Sequence, residues 1–140
     1  MKLNLSIWSK LFIAAFCFGI AIIGFMLKLP SMLRGMDKEM HAAFYFLSAA
    51  FLNILFAKCN LIIHAIIFGF LFSFGYAIEL AQEYSNKFFH KRIHGRFDPE
   101  DVAANTQGLI YFSAVWIVVV AISLLFKKPS NSGNEKVEAG

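Results

Sequence analysis

Four long apolar runs are the feature of this sequence that most restricts its fold. They occupy residues 11–29, 37–57, 61–82 and 98–126 of the 140-residue chain. At a rise of about 1.5 Å per residue, a helix of roughly 20 residues crosses the hydrocarbon of a bilayer. Backbone groups inside lipid must form their hydrogen bonds within the segment, so each run is predicted to be a transmembrane helix.

The composition agrees with a membrane protein. The chain is 59% hydrophobic, with a mean hydropathy of +0.63, which exceeds the apolar share of most soluble proteins. The predicted fold class is all-α: a polytopic membrane bundle of four helices that forms one domain over residues 1–128. The last residues, 129–140, are polar and rich in glycine, serine and asparagine, and they are predicted to be a disordered tail.

The first run also has the outline of a signal peptide, because Lys2 and Lys10 precede it. Its apolar stretch is longer than the usual central region of a signal peptide, and no small-x-small cleavage site follows it. A retained transmembrane helix is therefore the favoured interpretation. Cys17 lies deep in this run and Cys59 in the hinge between the second and third runs, so no disulfide is predicted.

An even number of membrane spans places most of the acidic residues on one side of the membrane. With four spans, the loop before the second run and the loop between the third and fourth runs lie on the same face. Seven of the nine acidic residues belong to that face: Asp37, Glu39, Glu79, Glu83, Asp98, Glu100 and Asp101. Lysines and arginines divide almost evenly between the two faces, so the positive-inside rule does not set the orientation.

Each of the last three runs carries polar residues at helical spacing on that face. The pairs are Asp37 with His41, Glu79 with Gln82, and Asp101 with Asn105. Spacings of three and four residues put side chains on one helix face, and polar groups in membrane proteins usually face the bundle interior. We therefore predict that the three stripes converge into one shallow pocket.

Several of these residues have plainer interpretations. In "DPED", Asp98 suits the N-cap, Pro99 the first helical position and Asp101 a capping box. Asp37 is also a possible N-cap, and Lys38 could extend to the lipid headgroups. Glu79 is different, because a carboxylate inside the membrane costs ~2.5 kcal/mol or more unless it is paired. Both a functional role and an interhelical contact remain open for it.

The remaining polar features give no recognisable catalytic machinery. His90 and His94 are four residues apart in a basic loop, but a metal site needs a further donor, so no metal and no cofactor is predicted. Zinc-protease, nucleophile-elbow and P-loop motifs do not occur. The basic residues form no continuous stripe, which argues against nucleic acid, although the basic loop could attract anionic lipid. Asn53 and His64 are interpreted as helix-packing or interhelical hydrogen-bonding residues.

Three motifs together resemble the VanZ-like family of small bacterial integral membrane proteins. They are "DKEMH" (37–41), "ELAQ" (79–82) and "GRFDPEDVAANTQG" (95–108), in the family's order, and the resemblance covers about residues 30–112. One departure is that Arg96 precedes Asp101 by five residues, where many members have six. The resemblance implies a bundle of four or five helices in the bacterial cytoplasmic membrane, a polar site at one surface, and a link to low-level resistance against the glycopeptide teicoplanin.

The predicted site residues follow from these motifs together with side-chain chemistry. The catalytic candidates are Glu79, His41 and Asp101, and the ligand-binding candidates are Asp37, Lys38, Gln82, Arg96 and Asn105. In a catalytic protein, Glu79 or His41 would be the general base, and Lys38 and Arg96 would hold an anionic headgroup. The predicted partners are membrane lipids, a lipid-linked or amphiphilic small molecule, and another copy of the chain. A non-catalytic binding or transport component and a purely structural protein remain the alternatives.

Overall fold

The computed structural model describes residues 5–26, 35–90 and 96–126. They form four helices: α1 (Ile7–Met26), α2 (Asp37–Leu52), α3 (Leu61–Phe88) and α4 (Pro99–Leu125). A π-helical segment, Asn53–Ala57, continues α2, and none of the described residues forms a strand. Helices α1, α3 and α4, and α2 together with the π-helical segment, are each long and apolar enough to cross a membrane. The all-α prediction with four candidate spans is confirmed, whereas the tail prediction for 129–140 lies outside the described residues.

The helix ends show which sequence signals were interpreted correctly. Asp98 caps α4 by accepting a hydrogen bond from the backbone N–H of Glu100 at 2.8 Å, and Pro99 occupies the first helical position, as predicted. Asp37 is not an N-cap, because α2 already begins at Asp37 and Met36 holds the cap position without a side-chain bond. At the start of α3, the side chain of Asn60 accepts from two backbone N–H groups.

The core lies between α2, α3 and α4, with α2 packed most closely against α4. Tyr45, Leu71 and Leu109, one from each helix, are essentially inaccessible to solvent. Gly108 of α4 faces the backbone of Ala42 in α2, where even a methyl group would overlap the Ala42 carbonyl oxygen. The absence of a side chain at Gly108 therefore permits the close approach of the two helices.

Helix α1 is attached more loosely than the others. Its main packing contact is aromatic, between Phe18 and the rings of Phe70 and Phe74 on α3. At the other end of the bundle from Asp98, Lys10 donates a hydrogen bond to the backbone oxygen of Leu55 at 2.8 Å. The outward faces of α1 and α4 are apolar and exposed, as expected for surfaces that contact lipid.

A polar group near the start of α3 joins three helices. His64 Nδ1 lies 2.8 Å from Asn53 Oδ1, and its Nε2 lies 3.1 Å from the hydroxyl of Ser113. The imidazole also stacks on Trp116, with ring centroids 4.2 Å apart. The predicted interhelical role of Asn53 and His64 is thus present in the structure. Since Glu79 is 15 residues further along α3, this group lies about 22 Å from the residues described next.

Candidate functional site

Polar side chains from three helices meet at one end of the bundle. We call this set the polar cluster; it consists of Asp37, Lys38, His41, Glu79, Asp98, Asp101 and Asn105. Four of its members are buried: His41, Glu79, Asp101 and Asn105. The helical spacing explains the grouping, since α2 presents its residues one turn apart and α4 does the same. The antiparallel order of α3 and α4 then places Glu79 beside the start of α4.

Lys38 links α2 to the beginning of α4. Its Nζ donates to Asp98 Oδ2 at 2.6 Å and to Asp101 Oδ1, and it lies 3.7 Å from Glu100 Oε2. The sequence interpretation had Lys38 extending to the headgroups; in the structure its ammonium is bonded to two carboxylates of the α4 N-terminus. One ammonium is shared by carboxylates that belong to a different helix, which fixes the depth of α4 relative to α2.

The hydrogen bond from Lys38 holds the pKa of Asp98 below its ordinary value of 3.8, and the capping N–H of Glu100 acts in the same direction. A carboxyl whose pKa is lower in the folded protein stabilises the fold fully above the pKa of the unfolded chain. That stabilisation is lost as the pH falls through the lowered folded value. The link between α2 and α4 is therefore expected to weaken in acid.

Acid sensitivity of this link can be measured on the purified protein in detergent. We expect the unfolding temperature of the wild type to fall as the pH drops below 3.8. In Asp98→Asn, which keeps a side chain able to cap α4, that fall should be smaller. Glu39→Gln, which alters an exposed acid on α2, is the matched control and should follow the wild type. Identical acid profiles for Asp98→Asn and the wild type would contradict this assignment.

His41 is held in one orientation by Asn105. An amide oxygen can only accept, so the Nδ1–H of His41 donates to Asn105 Oδ1 over 2.8 Å. The other ring nitrogen, Nε2, then faces two carboxylates, with Asp37 Oδ1 at 3.8 Å and Asp101 Oδ2 at 4.0 Å. Asp101 therefore directs one oxygen toward Lys38 and the other toward His41.

Glu79 is the most deeply buried acid of the polar cluster, with 1% of its surface exposed. Its Oε2 accepts a hydrogen bond from the backbone N–H of Asp98 at 3.3 Å. A capping-box acid at Asp101 would have bonded to that same N–H, so the capping-box interpretation of Asp101 is wrong. The second oxygen, Oε1, has no hydrogen-bond partner in the described part of the chain. A buried carboxylate oxygen in this condition needs a proton, a cation or a ligand.

Two residues that the motif analysis passed over form the inner wall of the polar cluster. Tyr45 is 1% exposed, and a methyl group on Gly75 would lie 2.8 Å from the Tyr45 hydroxyl and 2.9 Å from Asn105 Nδ2. Gly75 thus lets α3 approach these side chains. The signal for Tyr45 was available, because it follows His41 by one helical turn.

Two predicted ligand-binding residues lie at the margin. Gln82 is half-buried on α3, one turn beyond Glu79, and Ser85 donates to its backbone oxygen at 2.9 Å. Arg96 is exposed just before α4 and forms no ion pair with the described residues. His90 is exposed at the end of α3, and His94 lies outside the described residues.

Comparison with models of known protein families, with curated proteins and with solved structures found no match for this chain. The resemblance to VanZ-like proteins therefore stays a prediction that rests on the three motifs. The structure adds that residues of all three motifs lie in or beside the polar cluster.

Proposed function

We propose that this chain is an integral membrane protein of the VanZ-like type in the bacterial cytoplasmic membrane, and that its polar cluster binds or modifies a lipid or amphiphile. The observation that carries the proposal is the buried Glu79 carboxylate, whose Oε1 lacks a hydrogen-bond partner among the described residues. A contact that serves only to join helices satisfies its polar atoms. An acid that binds a proton or a ligand during function can instead have an unsatisfied oxygen in the free protein. Intramembrane acids commonly mark functional sites.

The charge of the polar cluster bears on the kind of ligand. Lys38 is already shared between Asp98 and Asp101, so it is poorly placed to hold an anionic headgroup as predicted from the sequence. The polar cluster contains four carboxylates, Asp37, Glu79, Asp98 and Asp101, against one lysine and one histidine. The interior of the site therefore suits a cationic or hydrogen-bond-donating group, while the exposed Arg96 is the residue suited to an anionic group at the rim.

In a catalytic protein, Glu79 is the better general base of the two candidates. Its Oε1 lone pairs are not engaged by the described residues, whereas His41 Nε2 faces the carboxylates of Asp37 and Asp101. A general base must reach the proton that it removes, within about 2.6–3.2 Å. Glu79 would take that proton from an attacking hydroxyl, and His41 with Asn105 would hold the reacting group in position. Teicoplanin carries an acyl chain that can enter membranes, so the drug, a lipid-linked wall precursor and an envelope lipid are the substrate classes to test.

Replacing Glu79 by glutamine separates function from folding. Glutamine keeps an oxygen that can accept from the Asp98 N–H but cannot act as a base at neutral pH. We expect wild-type protein expressed in a glycopeptide-sensitive bacterium to lower teicoplanin susceptibility. Glu79→Gln should reach the same membrane abundance as the wild type. Its protective activity at that abundance should be at least about tenfold lower, as expected when a general base is removed.

The matched control is Glu83→Gln, one turn further along α3. Glu83 is half-buried and pairs with the exposed Lys87 at 2.7 Å, away from the polar cluster, so this variant should protect like the wild type. Full protection by an abundant Glu79→Gln would remove Glu79 from the mechanism. No protection by the wild type would end the teicoplanin assignment, and the lipids that copurify with each variant should then be compared by mass spectrometry.

A structural role is favoured for one part of the polar cluster. Lys38, Asp98 and Asp101 satisfy one another across two helices, as groups that fix helix positions do. In a non-catalytic binding protein these residues would hold the bundle, and the remaining members would bind the ligand without turnover. Such a protein would retain lipid binding in Glu79→Gln and show no altered lipid product.

A further inference from the structure

The polar cluster contains a geometry that the sequence analysis did not predict. One ligand atom from each of Asp37, His41 and Asp101 lies within 4.8 Å of the other two. Around a first-row divalent ion with bonds of about 2.1 Å, adjacent ligand atoms are about 3.0–3.4 Å apart and opposite ones about 4.2 Å. The separations from His41 Nε2, 3.8 and 4.0 Å, are close to this range. Rotations of the Asp37 and Asp101 side chains that shorten these separations by about half an ångström would bring the three atoms onto one ion.

The orientation of His41 is the one that a metal ligand requires. Because Nδ1–H donates to Asn105, a neutral imidazole presents its Nε2 lone pair to the carboxylates of Asp37 and Asp101. Metal-binding histidines are commonly fixed in this way, by a hydrogen bond at the nitrogen that does not bind the ion. Without a cation, the Nε2 lone pair and the two carboxylates repel one another. A cation bound by all three groups removes this repulsion. Lys38 does not compete for this position, since it bonds to the other oxygen of Asp101.

Glu79 supplies a second, independent observation. Its Oε2 accepts a hydrogen bond from the backbone N–H of Asp98, whose side chain shares Lys38 with Asp101, so the carboxylate belongs to the same polar cluster. Its Oε1 is buried and has no hydrogen-bond partner in the described ranges. Exposed acids can be stabilised by water, but this oxygen is shielded from solvent. A cation bound in the polar cluster would offset the negative charge that this buried carboxylate adds.

From these observations we infer that Asp37, His41 and Asp101 bind one divalent transition-metal ion, next to the buried Glu79 carboxylate. An imidazole combined with carboxylates suits zinc, manganese or iron better than calcium or magnesium. The thiols of Cys17 and Cys59 are exposed and belong to other parts of the bundle, which leaves a nitrogen and oxygen donor set. This inference goes beyond the proposed function, because it holds for any substrate.

Such an ion would change what the site can bind. It would offset the excess of acid in the polar cluster and offer a phosphate or carboxylate headgroup a direct partner. It would also lower the pKa of a bound water molecule, since three protein ligands leave a coordination position open. Asp37, on the exposed side, is the ligand best placed to move as an ion enters.

The test uses full-length protein purified in detergent without a histidine tag. After treatment with a chelator and its removal, Zn²⁺ and Mn²⁺ are titrated separately by calorimetry in the presence of excess Mg²⁺. Bound metal is counted by elemental analysis, and thermal unfolding is followed with and without each ion. We expect saturable binding of one ion per chain, with an increased unfolding temperature.

The key variant is Asp37→Asn, since its side chain is one-third exposed and outside the core. It should fold like the wild type and bind the ion at least about tenfold more weakly. Glu79→Gln should also weaken binding, whereas Glu39→Gln, an exposed change on the same turn of α2, and His90→Gln should not. Absence of saturable binding by the wild type, or unchanged affinity in both Asp37→Asn and Glu79→Gln, would overturn the inference. The readout needs no drug or lipid, so its failure would not be confused with failure of the proposed function.

Discussion

Replacing Gly108 by alanine is expected to prevent the normal packing of α2 against α4. The added Cβ would overlap the carbonyl oxygen of Ala42 and lie 2.9 Å from its carbonyl carbon. The neighbour is backbone, so no side-chain rotation can relieve the overlap and the two helices must separate. We expect the free energy of unfolding to fall by about 3 kcal/mol or more, or the protein to be absent from the membrane. Thermal unfolding of the detergent-purified protein and its membrane abundance measure this.

Two other glycines make this experiment specific. Gly69 is a helical position on α3 with nothing within 4 Å of the added methyl group, so Gly69→Ala should match or slightly exceed the wild type. Gly75→Ala should be intermediate, because the atoms that it meets belong to the side chains of Tyr45 and Asn105 and not to backbone. A Gly108→Ala protein as stable as Gly69→Ala would show that α2 and α4 do not approach as described.

Replacing Lys38 by methionine is expected to give the second-largest loss of stability. Methionine keeps much of the apolar stem but leaves Asp98 and Asp101 without their shared cation, and Asp101 has only 12% of its side chain exposed. Removing one partner of a fully buried ion pair costs about 3–5 kcal/mol. Since the Lys38 side chain is 36% exposed, solvent screening lowers the expected loss to about 1–2 kcal/mol.

The matched control for this change is Lys87→Met. Lys87 forms an ion pair of similar length with Glu83, but 72% of its side chain is exposed and both residues belong to α3. Such surface pairs contribute about 0–1 kcal/mol, so this variant should unfold close to the wild type. Equal effects of Lys38→Met and Lys87→Met would mean that the link between α2 and α4 adds nothing beyond a surface ion pair.

The general architecture was predictable because it depends only on the length of the apolar runs and on the number of membrane spans. Apolar runs of membrane-spanning length define helices without knowledge of their neighbours, and four spans place the start of α2 beside the end of α3. Boundaries were less predictable. Helix α3 continues to Phe88, six residues beyond its predicted end at Gln82, and its added turns carry Glu83 and Lys87, whose helical spacing hydropathy does not detect.

The pairing within the polar cluster was not predictable from spacing. Whether Lys38 reaches headgroups or Asp98 depends on the rotation and depth of two helices, which only their packing at Gly108 sets. The metal geometry was missed for a related reason. The sequence search considered His90 and His94, which are neighbours along one segment, whereas the inferred ligands Asp37 and Asp101 are 64 residues apart in the chain.

The central claim is that polar residues distant in the sequence meet in one cluster at one end of the bundle. A double-mutant cycle between Lys38→Met and Asp101→Asn tests it most directly, with unfolding free energies measured for the wild type, both single variants and the double variant. A cycle between Lys38→Met and Glu83→Gln is the reference for two groups that do not pair. The account predicts a coupling energy of about 1 kcal/mol or more in the first cycle and about zero in the second. Additive effects in both cycles would contradict the polar cluster as described.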